Sequence, residues 1–199
     1  MALKMTNRRI QALETKDSIY HAAIDLFMAK GYENVSVEDI TKAANTAKGT
    51  FYIHFKSKKD LLYYTFNKFD EIYANTYKET RRIPTFEERF LTFIAGSYRE
   101  IDAMGREIPK AIYYNSILET DPMLLQNSRV LYKIILEMIE LGLKTGELSS
   151  KRTAEDYLDV IKTQITGMDY RLCIARDVDL ADYAKEYMKI CLMGLKVYS

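Results

Sequence analysis

Through most of the chain, apolar side chains return every three or four residues, and each run of them stops at a residue suited to turning a chain. That spacing places side chains on one face of an α-helix. Ile19, Ala22, Ala23, Leu26 and Phe27 share such a face, and Gly31 offers the left-handed position that ends it. Ser36-Val-Glu-Asp39 then opens a second helix. The serine hydroxyl can accept from a free amide while the acid three residues on suits the positive end of the helix dipole. This helix carries only Ile40, Ala43 and Ala44 before Asn45, a residue that tolerates the αL backbone of a tight turn. Residues 47–55 read as a third helix of about two turns, with Phe51 and Phe55 inward and Lys48, Thr50, Tyr52 and His54 on the outer and flanking faces.

The remainder continues in the same way. Ser57-Lys-Lys-Asp60 opens a long amphipathic helix through Leu61, Leu62, Phe66, Phe69 and Tyr73. Pro84 precedes Thr85-Phe-Glu-Glu88, Pro109 opens or bends a helix running to about Leu118, and Asp121-Pro122 reads as a cap followed by proline in the first helical turn. From Met123 to Leu143 the apolar spacing is again helical, until Gly146. Thr153-Ala-Glu-Asp156 and Asp179 are suited to cap the last two helices, over about 153–175 and 179–198. With 8 Gly and 3 Pro in 199 residues, the chain lacks material for an all-β fold. The expected fold is all-α, about nine helices, with a small domain over 1–56 and a larger one over 57–199.

Charge and reactive residues narrow the function. Residues 1–60 hold 10 Lys and Arg against 7 Asp and Glu, whereas the whole chain carries +1, so the rest is slightly acidic. Lys48, Lys56, Lys58 and Lys59 cluster with only Asp60 nearby, as expected of a face that meets a polyanion. His21 and His54 are the only histidines, and no Ser/His/Asp set, metal-ligand cluster or phosphate-binding glycine loop accompanies them. The reading is therefore not an enzyme, with no metal and no cofactor. Cys173 and Cys191 lack the close spacing of a zinc or redox pair and are expected to be buried apolar residues. No uncharged apolar run approaches the roughly 18 residues of a membrane span, so no membrane partner and a cytoplasmic location are expected.

Residues 15–69 resemble the DNA-binding domain of TetR-family regulators. The resemblance lies in Ala22-Ala23 through Leu26-Phe27 to Gly31-Tyr32, in Ser36-Val37-Glu-Asp39-Ile40 with Ala43-Ala44, and in Lys48-Gly49-Thr50-Phe51-Tyr52-Ile53-His54-Phe55-Lys56-Ser57-Lys58-Lys59-Asp60-Leu61. It implies a helix-turn-helix whose second helix enters the major groove of double-stranded operator DNA. On that reading Thr50 reaches a base edge or a thymine methyl, and Tyr52 meets a phosphate, sugar or base, or else packs on the first helix. His54 and Lys58 hold phosphates, Lys48 adds charge, and the Ser36 hydroxyl and Val37 amide bind a phosphate at a helix N-terminus. Gly49 leaves room for the backbone to approach DNA, or is merely a tolerated helix residue. Where the family usually has Gly-Val-Ser before Lys-Gly, this chain has Asn45-Thr46-Ala47, and Ala47 offers no hydroxyl.

The same resemblance implies a homodimer built on the last two helices, with Leu158, Ile161, Ile165 and Leu172 on one and Tyr187, Ile190 and Leu195 on the other. It also implies an inducer pocket among the middle helices, for which Phe66, Phe69, Tyr73, Phe93, Tyr98, Met104, Tyr113, Met138 and Tyr170 are candidates. Asp169, Arg99 and Arg171 are the charges whose placement would be informative. The expected function is a repressor released from a palindromic operator by a small-molecule inducer. The rival is a DNA-binding dimer controlled by a protein partner, or an activator, without such an inducer.

Overall fold

The computed structural model describes residues 6–118, 126, 128–175 and 178–197. The cap expected at Asp121-Pro122 and the helix start at Met123 lie outside them, as does Tyr198. Among the described residues there are nine α-helices and no strand: α1 (Asn7–Lys30), α2 (Val37–Ala43), α3 (Lys48–His54), α4 (Lys58–Thr80), α5 (Phe86–Ala103), α6 (Glu107–Leu118), α7 (Val130–Thr145), α8 (Ala154–Ile174) and α9 (Leu180–Val197). The chain forms two compact units that part between Thr65 and Phe66, nine residues beyond the boundary expected from sequence. The first two turns of α4 belong with the first unit because their side chains pack there. Leu61 and Leu62 are buried, Tyr64 donates to the Asp17 carboxylate at 3.0 Å, and Tyr20 donates to Thr65 at 3.4 Å.

In the first unit, Ile19, Ala23 and Phe27 of α1 meet Ile40 of α2 and Phe51 of α3 in a core closed to solvent. The buried stripe of α1 also takes in Tyr20 and Ile24, while Ala22 and Leu26, expected inside, sit at its edges. Local chemistry sets the joints. Gly31 ends α1 with φ 79° and ψ 147°, not the left-handed helical position but a conformation open almost only to glycine. Ser36 and Asp39 form a reciprocal capping box at the start of α2. Asn45, φ 48°, makes the turn into α3.

In the second unit, α5 runs along α9, while α7 packs on α5 and α8, and α6 on α8. Thr153 and Asp156 cap α8 reciprocally, and the Asp179 carboxylate accepts from the Asp182 amide at 3.0 Å to cap α9. Thr85 stands at the N-cap of α5 without a side-chain bond there. Its task falls to Glu147, 61 residues beyond Phe86 in sequence, whose carboxylate accepts from the amides of Phe86 at 2.7 Å and Glu87 at 3.1 Å. Gly142 of α7 is buried, and a Cβ there would stand 2.8 Å from the Phe86 ring, so only glycine lets α7 approach this closely.

Candidate functional site

A helix can read DNA only if one face is anchored and the other is free. In α3, Phe51 is buried and forms an edge contact with Tyr52 and a tilted one with Phe55, itself buried. The opposite face is open: Lys48 and Gly49 are exposed, Thr50 and His54 half-buried, and Tyr52 is 49% exposed. Ile53 is 80% exposed, the most solvent-facing large apolar side chain described, and was not singled out from sequence. Its signal was there: it lies midway between the inward Phe51 and Phe55, and so must point away from them.

Several expected contacts are arranged differently. Lys58 was expected to hold a phosphate, but two of its three ammonium protons go to the carbonyls of Tyr32 at 2.7 Å and Val35 at 2.9 Å, and the group lies 4.1 Å from the centre of the Tyr32 ring. This pins the start of α4 to the segment between α1 and α2, and burial lowers the Lys58 pKa. Lys48 is in an ion pair with Glu38 across the two short helices; this bond raises the lysine and lowers the carboxylate from their ordinary values. The basic cluster is thus partly spent within the protein. Ser36 engages Asp39 through both its amide, at 2.9 Å, and its hydroxyl, at 2.6 Å. A Cβ on Gly49 would meet nothing within 4 Å, so nothing inside the chain requires glycine there.

In the second unit, Phe66, Phe69 and Tyr73 of α4, Ile101 of α5, Pro109, Ile112 and Tyr113 of α6, Arg129, and Asp169 and Leu172 of α8 line an open cavity, with about 390 Å³ of empty space when the solvent at its mouth is included. Four of the nine residues proposed from sequence for a pocket, Phe66, Phe69, Tyr73 and Tyr113, are among them. Tyr98 stands behind the wall, donating to Asp169 at 2.5 Å. Phe93, Met104 and Met138 are not part of the lining; Phe93 and Met138 are ordinary core. Tyr170 is exposed, because the helical step from Asp169 turns it outward. Of the charges, Arg99 and Arg171 are exposed, while Asp169 looks into the cavity. Burial raises the pKa of Asp169, and burial together with its negative charge pushes up the hydroxyls of Tyr98 and Tyr113. Tyr113 donates to the second Asp169 oxygen at 2.6 Å.

The residues expected at a dimer interface divide. Leu158, Ile161, Ile165 and Leu172 are buried within the single chain and are corrected to core. Tyr187 and Ile190 are exposed and Leu195 half-buried. The outer faces carry a different apolar set: Val160, Tyr170 and Ile174 on α8, and Tyr187, Ile190 and Met193 on α9. The choice of face on α8 was ambiguous because its apolar residues surround most of the helix. Cys173 and Cys191 are free and half-buried rather than core.

No described helix is long and apolar enough to cross a membrane. Residues 19–64 match the family of bacterial regulatory proteins described as the tetR family. The uncharacterized HTH-type transcriptional regulator YwcC of Bacillus subtilis is 41% identical over 66 residues, which span 33% of this chain and only 30% of that protein. The transposon Tn10 TetC protein of Escherichia coli is 32% identical over 185 residues, 88% of each chain. Among solved structures, a putative TetR-family regulator from Syntrophomonas wolfei has a TM-score of 0.73 at 22% identity, covering 94% of this chain and 99% of that one. FadR from Bacillus subtilis, solved in complex with stearoyl-CoA, has a TM-score of 0.69 at 19% identity and covers 89% and 98%. The helix-turn-helix, its family match and the near full-length relative lead to one assignment: this chain belongs to the TetR family of transcriptional regulators.

Proposed function

We propose that the protein is a cytoplasmic, homodimeric repressor that holds a palindromic operator through α3 and is released by a small molecule entering the cavity of the second unit. The observation that carries the DNA reading is the outward face of α3, where Thr50, Tyr52 and Ile53 project from a helix anchored by Phe51. Thr50 and Ile53 are placed to meet base edges and thymine methyls, and Tyr52 and His54 to meet the backbone. Ser36, the Val37 amide and Lys48 add phosphate contacts at the flank; Lys48 exchanges Glu38 for a phosphate as DNA arrives. Lys58 acts through position, bracing α4. Ala47 has no hydroxyl to offer a phosphate, and the Thr46 hydroxyl beside it takes over part of that contact.

The inducer reading rests on the cavity, a recess lined mainly by aromatic and apolar side chains with the Asp169 carboxyl and the Arg129 guanidinium in its wall. The Bacillus subtilis FadR solved with stearoyl-CoA shares the fold and supports the reading of a ligand-responsive second unit. An effector releases DNA only by preferring the conformation that does not fit the operator, and α4, which continues from the first unit into the second, is the element through which that preference is transmitted.

The test is selection of bound sequences from random DNA, followed by gel shifts on the selected site. Gly49→Ala is the sharpest variant, since its added methyl touches nothing in the free chain. It is expected to fold normally and to lose operator affinity. Thr50→Ala is expected to relax one base position, by about 1–3 kcal/mol, and Tyr52→Ala to weaken all sequences. Unchanged affinity in all three would remove α3 from the groove.

A further inference from the structure

The lining of the cavity includes one carboxyl group, Asp169, and one guanidinium, Arg129, and their settings differ. The two oxygens of Asp169 are met by neutral phenols, Tyr98 at 2.5 Å and Tyr113 at 2.6 Å, and no ion pair to it forms among the described residues. A carboxylate has about four acceptor positions, so two stay open toward the space it lines. Arg129 is already occupied: its guanidinium stands 4.8 Å from the centre of the Phe66 ring and 5.9 Å from that of Tyr132, and it lies in the fields of both Asp70 and Asp169. Phe66, Phe69, Tyr73 and Tyr113 share the lining with Asp169, and aromatic rings attract a cation where their negative π surfaces are open to it. Arg129 acts on Asp169 through space without an ion pair among the described residues, so a cation entering this aromatic, largely apolar cavity meets a carboxyl group held only by neutral donors.

We propose that the cavity takes a compact aromatic or alkyl ammonium, with the Asp169 carboxylate as its counter-ion and the surrounding rings as its cage. This deepens, and rests on, the reading of the cavity as the effector site. Tyr98 and Tyr113 donate to one oxygen each and so compete with the ligand for the carboxylate while leaving its other lone pairs unmet. Chain length of the ligand is limited by the cavity, and a neutral body of the same shape lacks the ion pair.

The proposal is tested by calorimetry on the full-length protein with three probes of similar shape: benzyltrimethylammonium, the neutral neopentylbenzene, and phenylacetate. The ammonium is expected to bind best. Asp169→Asn keeps size and an acceptor for the tyrosines, and is expected to lose roughly 30-fold or more of ammonium affinity while binding of the neutral probe is unchanged. Tyr113→Phe, which frees one oxygen, is expected to keep or tighten ammonium binding, and it serves if Asp169→Asn fails to fold as judged by circular dichroism and operator affinity. Should phenylacetate or neopentylbenzene match the ammonium, or should Asp169→Asn bind it undiminished, the charge assignment is wrong while the effector cavity stands. If none of the three binds, the proposal is overturned. In that case, operator release by the small-molecule fraction of a cell extract decides whether the effector reading falls with it.

Discussion

At the scale of single residues, the carboxyl of Asp169 sets a measurable balance. Burial raises its pKa above the ordinary 3.8, against the hydroxyls of Tyr113 and Tyr98 and the charge of Arg129, which act downward. Facing it are Tyr73 from α4, Tyr98 from α5, Tyr113 from α6, Arg129 and Tyr132 at the start of α7, and Cys173 on its own helix. A raised carboxyl pKa means that the folded chain holds the proton more tightly than the unfolded one. The cost to stability is absent below the unfolded value, grows as pH rises, and is complete above the folded pKa. Asp169→Asn removes that dependence. The melting temperature of the variant minus that of the parent is therefore expected to increase from about pH 4 toward neutrality, by an amount that reports the shift. A difference that is flat in pH would mean that Asp169 titrates as if in water. This residue also marks where sequence reading stops: the helical step made it one of three charges worth placing, but only packing decides that Asp169 turns in while Arg99 and Arg171 turn out. Lys58 makes the same point in reverse, since nothing local to Ser57-Lys58 announces carbonyls 23 and 26 residues earlier.

At the scale of elements, what could be read from sequence was what local chemistry decides. Ser36, Asn45, Thr153 and Asp179 sit where their side chains cap or turn, because a cap is a contact between residues three apart. The exception is α5, where Thr85 has the right position and no bond, and Glu147 beyond the end of α7 supplies both acceptors. Burial works against its charge, yet the amides of Phe86 and Glu87 and the Thr145 hydroxyl hold Glu147 below its ordinary range. This is a tertiary cap that ties the α7 exit to the α5 entry, and no window of sequence contains it. Glu147→Ala leaves two amides at the buried start of α5 to water or to nothing. The expected loss is about 2 kcal/mol, or some 4–8 °C in melting temperature for a chain of this size. Glu147→Gln, which keeps a carbonyl acceptor, should fall between. Equal melting of all three proteins would show the cap to be replaceable by Thr85. Because the carboxyl is depressed, its contribution is present above the unfolded pKa and fades as pH falls through the folded one.

At the scale of the whole molecule, the question is what the outer faces of α8 and α9 are for. The inward residues Leu158, Ile161, Ile165 and Leu172 already complete the core of the second unit, so apolar surface left outside does not serve the monomer. That surface is large: Ile174 is 63% and Ile190 56% exposed, with Val160, Tyr170, Tyr187 and Met193 beside them on the same two helices. Gly167 and Gly194 add to it, each with open space where a Cβ would stand, so another helix can come close at both points. A second copy of the same pair of helices offers the same apolar, small-residue surface, which is what a two-fold contact requires. A recognition helix of seven residues also needs a second one to reach operator affinity. On this reading Ile190→Asp places a charge at the centre of the contact, and it should weaken dimerisation by roughly 30-fold or more in sedimentation equilibrium while leaving the helical circular dichroism intact. Operator binding should weaken in step, and because a lone chain meets half the phosphates, the slope of log affinity against log salt should fall to about half, each phosphate contributing about 0.9. A variant that stays dimeric, or a monomer that keeps the full salt slope, would move the interface away from these two helices.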